Sequence, residues 1–316
     1  MLKRPLGNTG LNIAPLVFGG NVFGWTIDEK TSFAVLDAFV DHGFDAIDTA
    51  DVYSAWVPGN SGGESETIMG RWLKQRPGIR DKVTIFTKVG SEMGSPEKKG
   101  LSKRWILQAA EDSLSRLGTD HIDLYFSHWP DPQVTHEETL SAYAELRSSG
   151  KINAIGASNY DAKLLAEALK VARTNDLPAY QVIQPEYNLS DRSSFEGDLC
   201  DLCVAQNIGV VTYFSLASGF LSGKYRSKAD LGGSKRGDRV EKYLNPQGLK
   251  LLAALDAVAA DHGAKPAEIA LAWLMASPGV TAPIASATSV EQVASFAKAA
   301  SLKLTAEQMK ALNEGL

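Results

Sequence analysis

Two cysteines in 316 residues, Cys200 and Cys203, are too few for a disulfide-stapled scaffold. A chain of this length buries enough surface to need no staple. The pair stands as Cys-x-x-Cys, but no second cysteine pair and no His-x-x-x-His accompanies it to complete a four-ligand zinc site. Both fall in a helical stretch where residues three apart share a face. They read as half-buried helix cysteines in a reducing compartment, a redox pair being the alternative. A basic surplus is missing as well: 32 Lys and Arg against 37 Asp and Glu leave a net charge of −5, which argues against a nucleic-acid scaffold. No long apolar run is unbroken. The one uncharged stretch of membrane length, residues 269–290, carries Pro278, Gly279 and Pro283 and reads as a buried helix, a turn and a buried strand. No apolar segment of the secretory type follows Met1-Leu2-Lys3-Arg4-Pro5, so a cytoplasmic protein with no membrane partner is expected.

What is present is an ordinary globular composition, 44% hydrophobic and 22% charged, arranged in a regular alternation. Short apolar runs at 16–20, 46–50, 83–88, 122–128, 152–156, 182–184, 210–213 and 282–285 are separated by longer segments. Helices are expected at 28–42, 65–76, 102–117, 135–149, 161–175 and 193–206. Near-continuous apolar strands mean burial on both faces, the mark of a parallel sheet. An open dinucleotide-binding sheet would start Gly-x-Gly-x-x-Gly after its first strand, whereas this chain reads Gly19-Gly20-Asn21-Val22-Phe23-Gly24. Eight repeats with no linker favour an α/β fold of the (β/α)8 TIM-barrel type, one domain over 1–316. Leu6-Gly7-Asn8-Thr9-Gly10-Leu11 reads as a β-hairpin plugging the N-terminal mouth, and 217–245 as a long loop after strand seven.

In such a barrel, chemistry belongs at the C-terminal ends of the strands. Three successive strands bring four ionisable groups to that end: Asp48 and Tyr53 after the second, Lys88 on the third and His128 after the fourth. Each alone has a structural explanation, as a turn cap, a loop aromatic, a solvated strand end or a hydrogen-bonded histidine. Together they form a coherent set. A tyrosine near its ordinary pKa of ~10 exchanges protons poorly at neutral pH. A neighbouring ammonium lowers that value, and a carboxylate keeps the lysine charged and oriented. A histidine can polarise a carbonyl oxygen. Such a set would protonate that oxygen while hydride arrives at its carbon, and the hydride must come from a cofactor.

Asp48-Thr49-Ala50-Asp51-Val52-Tyr53, Thr87-Lys88-Val89 and Ser127-His128-Trp129 resemble the tetrad segments of the aldo-keto reductases. Gly63-Glu64-Ser65-Glu66, Gly70, Gly156-Ala157-Ser158-Asn159 and Gln184-Pro185-Glu186-Tyr187-Asn188 extend the likeness over nearly the whole chain. The chain looks like the long-loop bacterial type, similar to the branch that includes potassium-channel β-subunits. The resemblance implies Tyr53 as general acid/base tuned by Lys88 and Asp48, with His128 orienting the substrate carbonyl. It implies that Ser158, Asn159 and Gln184 hold a nicotinamide carboxamide and that Tyr213 stacks under the ring. Gly20 and Asn21 also fall at cofactor positions. Ser215, Leu216, Gly219 and Lys224 match a loop over the pyrophosphate, while Thr288 and Gln292 match the cofactor positions of the branch with a small hydroxyl residue there. After the eighth strand an arginine for a 2′-phosphate is absent, and Ser295-Phe296 stands where that branch often has Glu-Asn. Lys235 or Arg236 could supply the missing charge, so NADP(H) is expected, with NAD(H) as the alternative.

Phe23, Trp25, Trp56 and Trp129 cluster in loops above the barrel and predict an apolar or aromatic aldehyde or ketone pocket, though sugar-ring stacking fits the same residues. Trp72, Trp105 and Trp273 lie in helix patterns and read as packing. The expected activity is carbonyl–alcohol interconversion on a small molecule. A cofactor-binding regulatory or redox-sensing subunit is the second reading. A metal-dependent hydrolase would need more strand-end ligands than Asp48 and His128, and no metal is expected.

Overall fold

The computed structural model describes residues 1–232 and 237–315. Strands β1 (Arg4–Pro5) and β2 (Asn12–Ile13) pair antiparallel as the expected hairpin. The next eight form a closed parallel barrel: β3 (Val17–Gly19), β4 (Ala46–Asp48), β5 (Thr84–Val89), β6 (Ile122–Ser127), β7 (Ile152–Ser158), β8 (Val182–Gln184), β9 (Gly209–Thr212) and β10 (Ala282–Ala285). The last strand closes on the first through Ile284 opposite Val17. Fold and strand order are those expected.

Two apolar layers explain why the strand runs are almost wholly apolar. Val17, Phe86, Leu124, Phe126 and Ala154 point into the barrel. Their chain neighbours Phe18, Ile85, Tyr125 and Ile155 point out, against the helices. Nearly every barrel-strand position is therefore buried on one side or the other, Thr84 and the exposed Asn153 apart, as expected of a closed parallel barrel. Leu6 and Ile13 of the hairpin are wholly buried and join the inner layer, sealing the N-terminal mouth.

The surrounding helices are α1 (Glu29–Asp41), α2 (Glu64–Gln75), α3 (Lys103–Leu117), α4 (His136–Ser148), α5 (Ala162–Thr174) and α6 (Asp198–Ala205). Asp28, Ser102, Thr135 and Asp161 cap α1, α3, α4 and α5 by accepting from backbone amides of the first turn. Helix α6 starts later than the periodicity predicts, because Gly197 sits at φ +88°, ψ −132°, outside the helical region. Cys200 is half-buried and Cys203 buried on α6, and burial pushes the Cys203 thiol up to about 12. The 217–245 segment holds 3-10 turns at Ala217–Ser222, Lys228–Leu231 and Glu241–Tyr243 and the single turn α7 (Gly237–Val240). Helices α8 (Pro246–His262), α9 (Pro266–Ala276), α10 (Val290–Ser301) and α11 (Ala306–Glu314) complete the ring. The uncharged stretch is indeed divided between α9 and β10, and among the described residues no helix is long and apolar enough to cross a membrane. Trp72, Trp105 and Trp273 are buried packing residues.

Candidate active site

The C-terminal strand ends converge on one buried ammonium. Lys88, on β5, is wholly buried and donates from Nζ to Asp48 Oδ2 at 2.7 Å, to the Thr49 carbonyl at 2.7 Å and to Tyr53 Oη at 2.9 Å. Asp48 ends β4, so its carboxylate projects at the same level of the barrel, and Gln184 Nε2 at the end of β8 donates to its other oxygen at 2.9 Å. Tyr53 comes from the turn after β4, with its amide bonded to the Ala50 carbonyl. Its hydroxyl also points at Asp48 Oδ2, at 3.3 Å. His128 follows β6; its ring lies 6.1 Å from that of Tyr53 and stacks on Trp129. The four expected groups thus meet.

Burial decides their charge states. Desolvation, then the Asp48 charge, raises the Tyr53 phenol well above its ordinary range. That corrects the expectation that Lys88 would bring it down: in a dry site beside a carboxylate, holding the proton wins. Burial, with Lys88 as a second cause, holds His128 well below the usual histidine range, so the ring is neutral. Asp51 is also buried, and desolvation reinforced by the Glu66 charge raises its carboxyl well above the usual range. Glu66 is paired with Arg116 Nε at 2.7 Å and accepts from the Thr87 hydroxyl.

An elongated cavity of about 1210 Å³ runs from Tyr53 and His128 across the barrel to Thr288 and Gln292. That exceeds the roughly 300–1,000 Å³ of ordinary small-molecule pockets and suits an extended cofactor plus substrate. Ser158, Asn159 and Gln184 line it, already joined to one another and to Tyr213. Ser158 Oγ donates to the Gln184 carbonyl at 2.8 Å, Asn159 Nδ2 to Ser158 Oγ at 3.2 Å, and the Tyr213 hydroxyl to Asn159 Oδ1 at 2.7 Å. Ser215, Leu216, Gly219 and Lys224 line the stretch beyond Tyr213. There the chain kinks through Ala217, Ser218 and Gly219, all at positive φ, and Lys224 Nζ lies over the Tyr225 ring. Asn21 lines the opposite wall, accepting from the Ser286 hydroxyl at 2.6 Å.

Three expectations need revision or fall outside view. Gly20 is buried beneath the wall, its carbonyl accepting from Ser65; it is Gly19 that faces the cavity, where a Cβ would sit 2.6 Å from Ser286 Oγ. Phe23 is not a pocket residue: it is wholly buried, stacked on Phe18 at 5.4 Å in the outer core. Lys235 and Arg236 lie outside the described residues. Trp25, Trp56 and Trp129 do line the cavity, with Trp25 edge-on to Trp56 at 5.5 Å. Trp56 and Trp129 are 48% and 49% exposed, so they form its rim.

Several residues at or beside the cavity had no signal in the sequence. Phe214 looks like a continuation of strand β9 but turns outward at φ +53°. Lys265 and Glu268 reach the cavity from the start of α9, with Lys265 Nζ 3.5 Å from Ser295 Oγ. A charged residue at a helix start reads as a cap until tertiary structure places it. Ser91, whose Oγ lies 3.2 Å from His128 Nδ1, sits two residues past a strand end, a position a strand-by-strand reading passes over. Among the described residues no three His, Cys, Asp or Glu are grouped to hold a metal ion.

Comparison with known proteins places this geometry. Residues 15–315 match the model of the aldo/keto reductase family. The "Uncharacterized oxidoreductase YrpG" of Bacillus subtilis is 35% identical over 98% of this chain and 94% of its own length. A "Probable voltage-gated potassium channel subunit beta" of Oryza sativa is 33% identical over 95% of this chain and 91% of its own. "Aldo-keto reductase YhdN" of Bacillus subtilis is 32% identical over 96% and 88%. A family match across the barrel, around the strand-end cluster of Asp48, Tyr53, Lys88 and His128, leads to one conclusion: the chain belongs to the aldo/keto reductase family, oxidoreductases of carbonyl compounds that generally use nicotinamide cofactors.

Proposed function

We propose that the protein is an NADP(H)-dependent reductase, or alcohol dehydrogenase in reverse, for aldehydes or ketones of apolar or aromatic character. One observation carries the reading: a wholly buried ammonium, Lys88, donates at once to a carboxylate and to the hydroxyl of Tyr53 at the cavity floor. When bound, a nicotinamide dinucleotide supplies the hydride that no side chain can. Tyr53 keeps its proton through neutral pH and gives it to the carbonyl oxygen. Lys88 stabilises the phenolate left behind by its hydrogen bond to Oη, and Asp48 keeps Lys88 charged and aimed. His128, neutral, donates a hydrogen bond to the same oxygen. The aromatic rim of Trp25, Trp56 and Trp129 excludes water and takes the organic part of the substrate.

For the cofactor, Ser158, Asn159 and Gln184 would hold the carboxamide, Tyr213 the ring, Ser215, Leu216, Gly219 and Lys224 the phosphates, and Asn21, Thr288 and Gln292 the remaining contacts. The donor set fits: polar amides at the tetrad end, a lysine midway and a second lysine, Lys265, at the far end. Lys265 and Arg236 favour NADP(H). Glu268 on the same wall favours NAD(H), because a carboxylate repels a 2′-phosphate. Fluorescence titration separates the two, and tighter binding of NADH sinks the NADP(H) assignment.

The test of the activity is oxidation of NADPH against a panel of aldehydes and ketones. Tyr53→Phe is expected to cut kcat by roughly 10²–10⁴ while NADPH still binds, the usual worth of a positioned acid. Unchanged turnover in that variant would remove Tyr53 from the role. Tight NADPH binding with no turnover of any carbonyl would instead favour the regulatory-subunit reading, which the likeness to a potassium-channel β-subunit supports.

A further inference from the structure

Strand β5 ends at Val89, and Gly90 follows at φ +123°, a conformation that side chains rarely adopt. A Cβ at Gly90 would also come within 3.2 Å of the Leu101 side chain. The turn carries Ser91 back beside the end of β6. There the His128 amide donates to the Val89 carbonyl at 2.8 Å, extending the β5–β6 ladder one step past the end of β6. The imidazole is thereby set against Ser91, with Nδ1 3.2 Å from Oγ.

A neutral imidazole has one N–H and one lone pair, so its usefulness to a carbonyl depends on which nitrogen holds the proton. The backbone and ring-face contacts of His128 leave that choice open. Asn159 Nδ2 donates to its carbonyl at 2.9 Å, and Trp129 stacks on the ring, but neither touches a ring nitrogen. Among the described residues Ser91 is the one group hydrogen-bonded to the imidazole, and His128 Nδ1 is the one partner of the Ser91 hydroxyl. The other nitrogen, Nε2, has no protein partner there and is the one left for a substrate.

We propose that the Ser91 hydroxyl donates a hydrogen bond to Nδ1 and so holds His128 as the Nε2–H tautomer, the form able to donate to a carbonyl oxygen. Ser91 is then a positioning residue that acts through His128. The opposite arrangement, Nδ1–H donating to Oγ, would turn a lone pair towards the substrate oxygen and repel it. The consequence for turnover rests on the carbonyl-reductase reading, whereas the tautomer does not.

The experiment is ¹⁵N NMR of the histidine rings in the full-length protein, where five histidines give few signals and His128→Gln identifies the one of interest. The parent is expected to show His128 protonated at Nε2 and bare at Nδ1. Ser91→Ala is expected to move the ring to a mixture or to Nδ1–H, and Ser91→Thr, which keeps the hydroxyl, to restore the parent pattern. In steady state Ser91→Ala should lower kcat about tenfold with unchanged NADPH affinity, and Ser91→Thr should recover it. An Nδ1–H ring in the parent, or a tautomer unmoved by Ser91→Ala, overturns the assignment. An Nε2–H ring set by Ser91 in a protein that reduces no carbonyl would uphold it and sink the activity reading alone.

Discussion

Lys88 and Asp48 form a buried ion pair in which neither partner has access to water: their side chains are 0% and 2% exposed. Removing one member leaves the other charged and dry, which costs about 3–5 kcal/mol. Lys88→Met is therefore expected to lower stability by about that much in urea unfolding as well as abolish NADPH oxidation. The double variant Asp48→Asn/Lys88→Met should recover most of the stability and none of the activity. A Lys88→Met protein as stable as its parent would mean that the pair is not charged. Asp51 presents the opposite case. Its two carboxylate oxygens are buried without a hydrogen-bond partner of ordinary geometry, and desolvation with the Glu66 charge outweighs the Arg116 charge, a Val52 amide contact and the Lys88 charge. The folded carboxyl therefore keeps its proton at pH values where the unfolded aspartate, near ~3.9, has lost it. Stability is complete below about pH 4 and falls as pH rises towards the raised folded value, by about 1.4 kcal/mol per pH unit in that window. Asp51→Asn carries no such proton, so its Tm should sit close to the parent's at pH 4 and several degrees above it at pH 7.5. A Tm difference that stays constant between those pH values would show that Asp51 ionises normally.

At the scale of elements, the loop over residues 54–62 carries Trp56 at the cavity rim. Ser54, at φ +74°, donates from Oγ to the Phe23 carbonyl at 2.6 Å. Asn60 Nδ2 donates to the carbonyls of Ser54 at 3.0 Å and Gly24 at 3.2 Å. These bonds pin the loop that carries Trp56. Loss of about 1 kcal/mol of hydrogen bonding predicts that Asn60→Ala raises KM for an aromatic ketone about fivefold and leaves kcat and NADPH affinity near the parent's. A matching fall in kcat would place Asn60 in the reacting geometry instead. The same loops mark where the sequence stopped being legible. Strands were readable because burial leaves them mostly apolar, and Asp48 and Lys88 stood out as charged residues near the C-terminal strand ends. Phe23 and Trp25 both lie in a short turn without periodicity, so nothing in the sequence distinguished the one that stacks on Phe18 from the one that meets Trp56. Gly19 and Gly20 posed the same problem: one faces the cavity and its neighbour the core, a one-residue difference set by where β3 ends. Ser91 and Lys265 reach the site only because strands and helices distant in sequence are packed side by side.

Across the whole molecule the barrel places its apolar plug and its candidate site at opposite ends. The tetrad lies at the C-terminal strand ends, while the β1–β2 hairpin closes the opposite mouth with Leu6 wholly buried among Val17, Phe86 and Val211. The inner apolar layer of Val17, Phe86, Leu124 and Phe126 packs against Leu6. Truncating a wholly buried leucine costs about 2–5 kcal/mol through lost burial and the void left behind. Leu6→Ala is therefore expected to lower the unfolding free energy by that amount while kcat, KM and NADPH affinity, measured well below its Tm, stay within about twofold of the parent. On the proposed cofactor reading NADPH binds only the folded chain, so at 100 times its Kd it should return about 2.7 kcal/mol of stability to parent and variant alike. A smaller return in Leu6→Ala would mean that the plugged mouth and the cofactor groove are mechanically coupled, and that the interior layer transmits strain from one end of the barrel to the other.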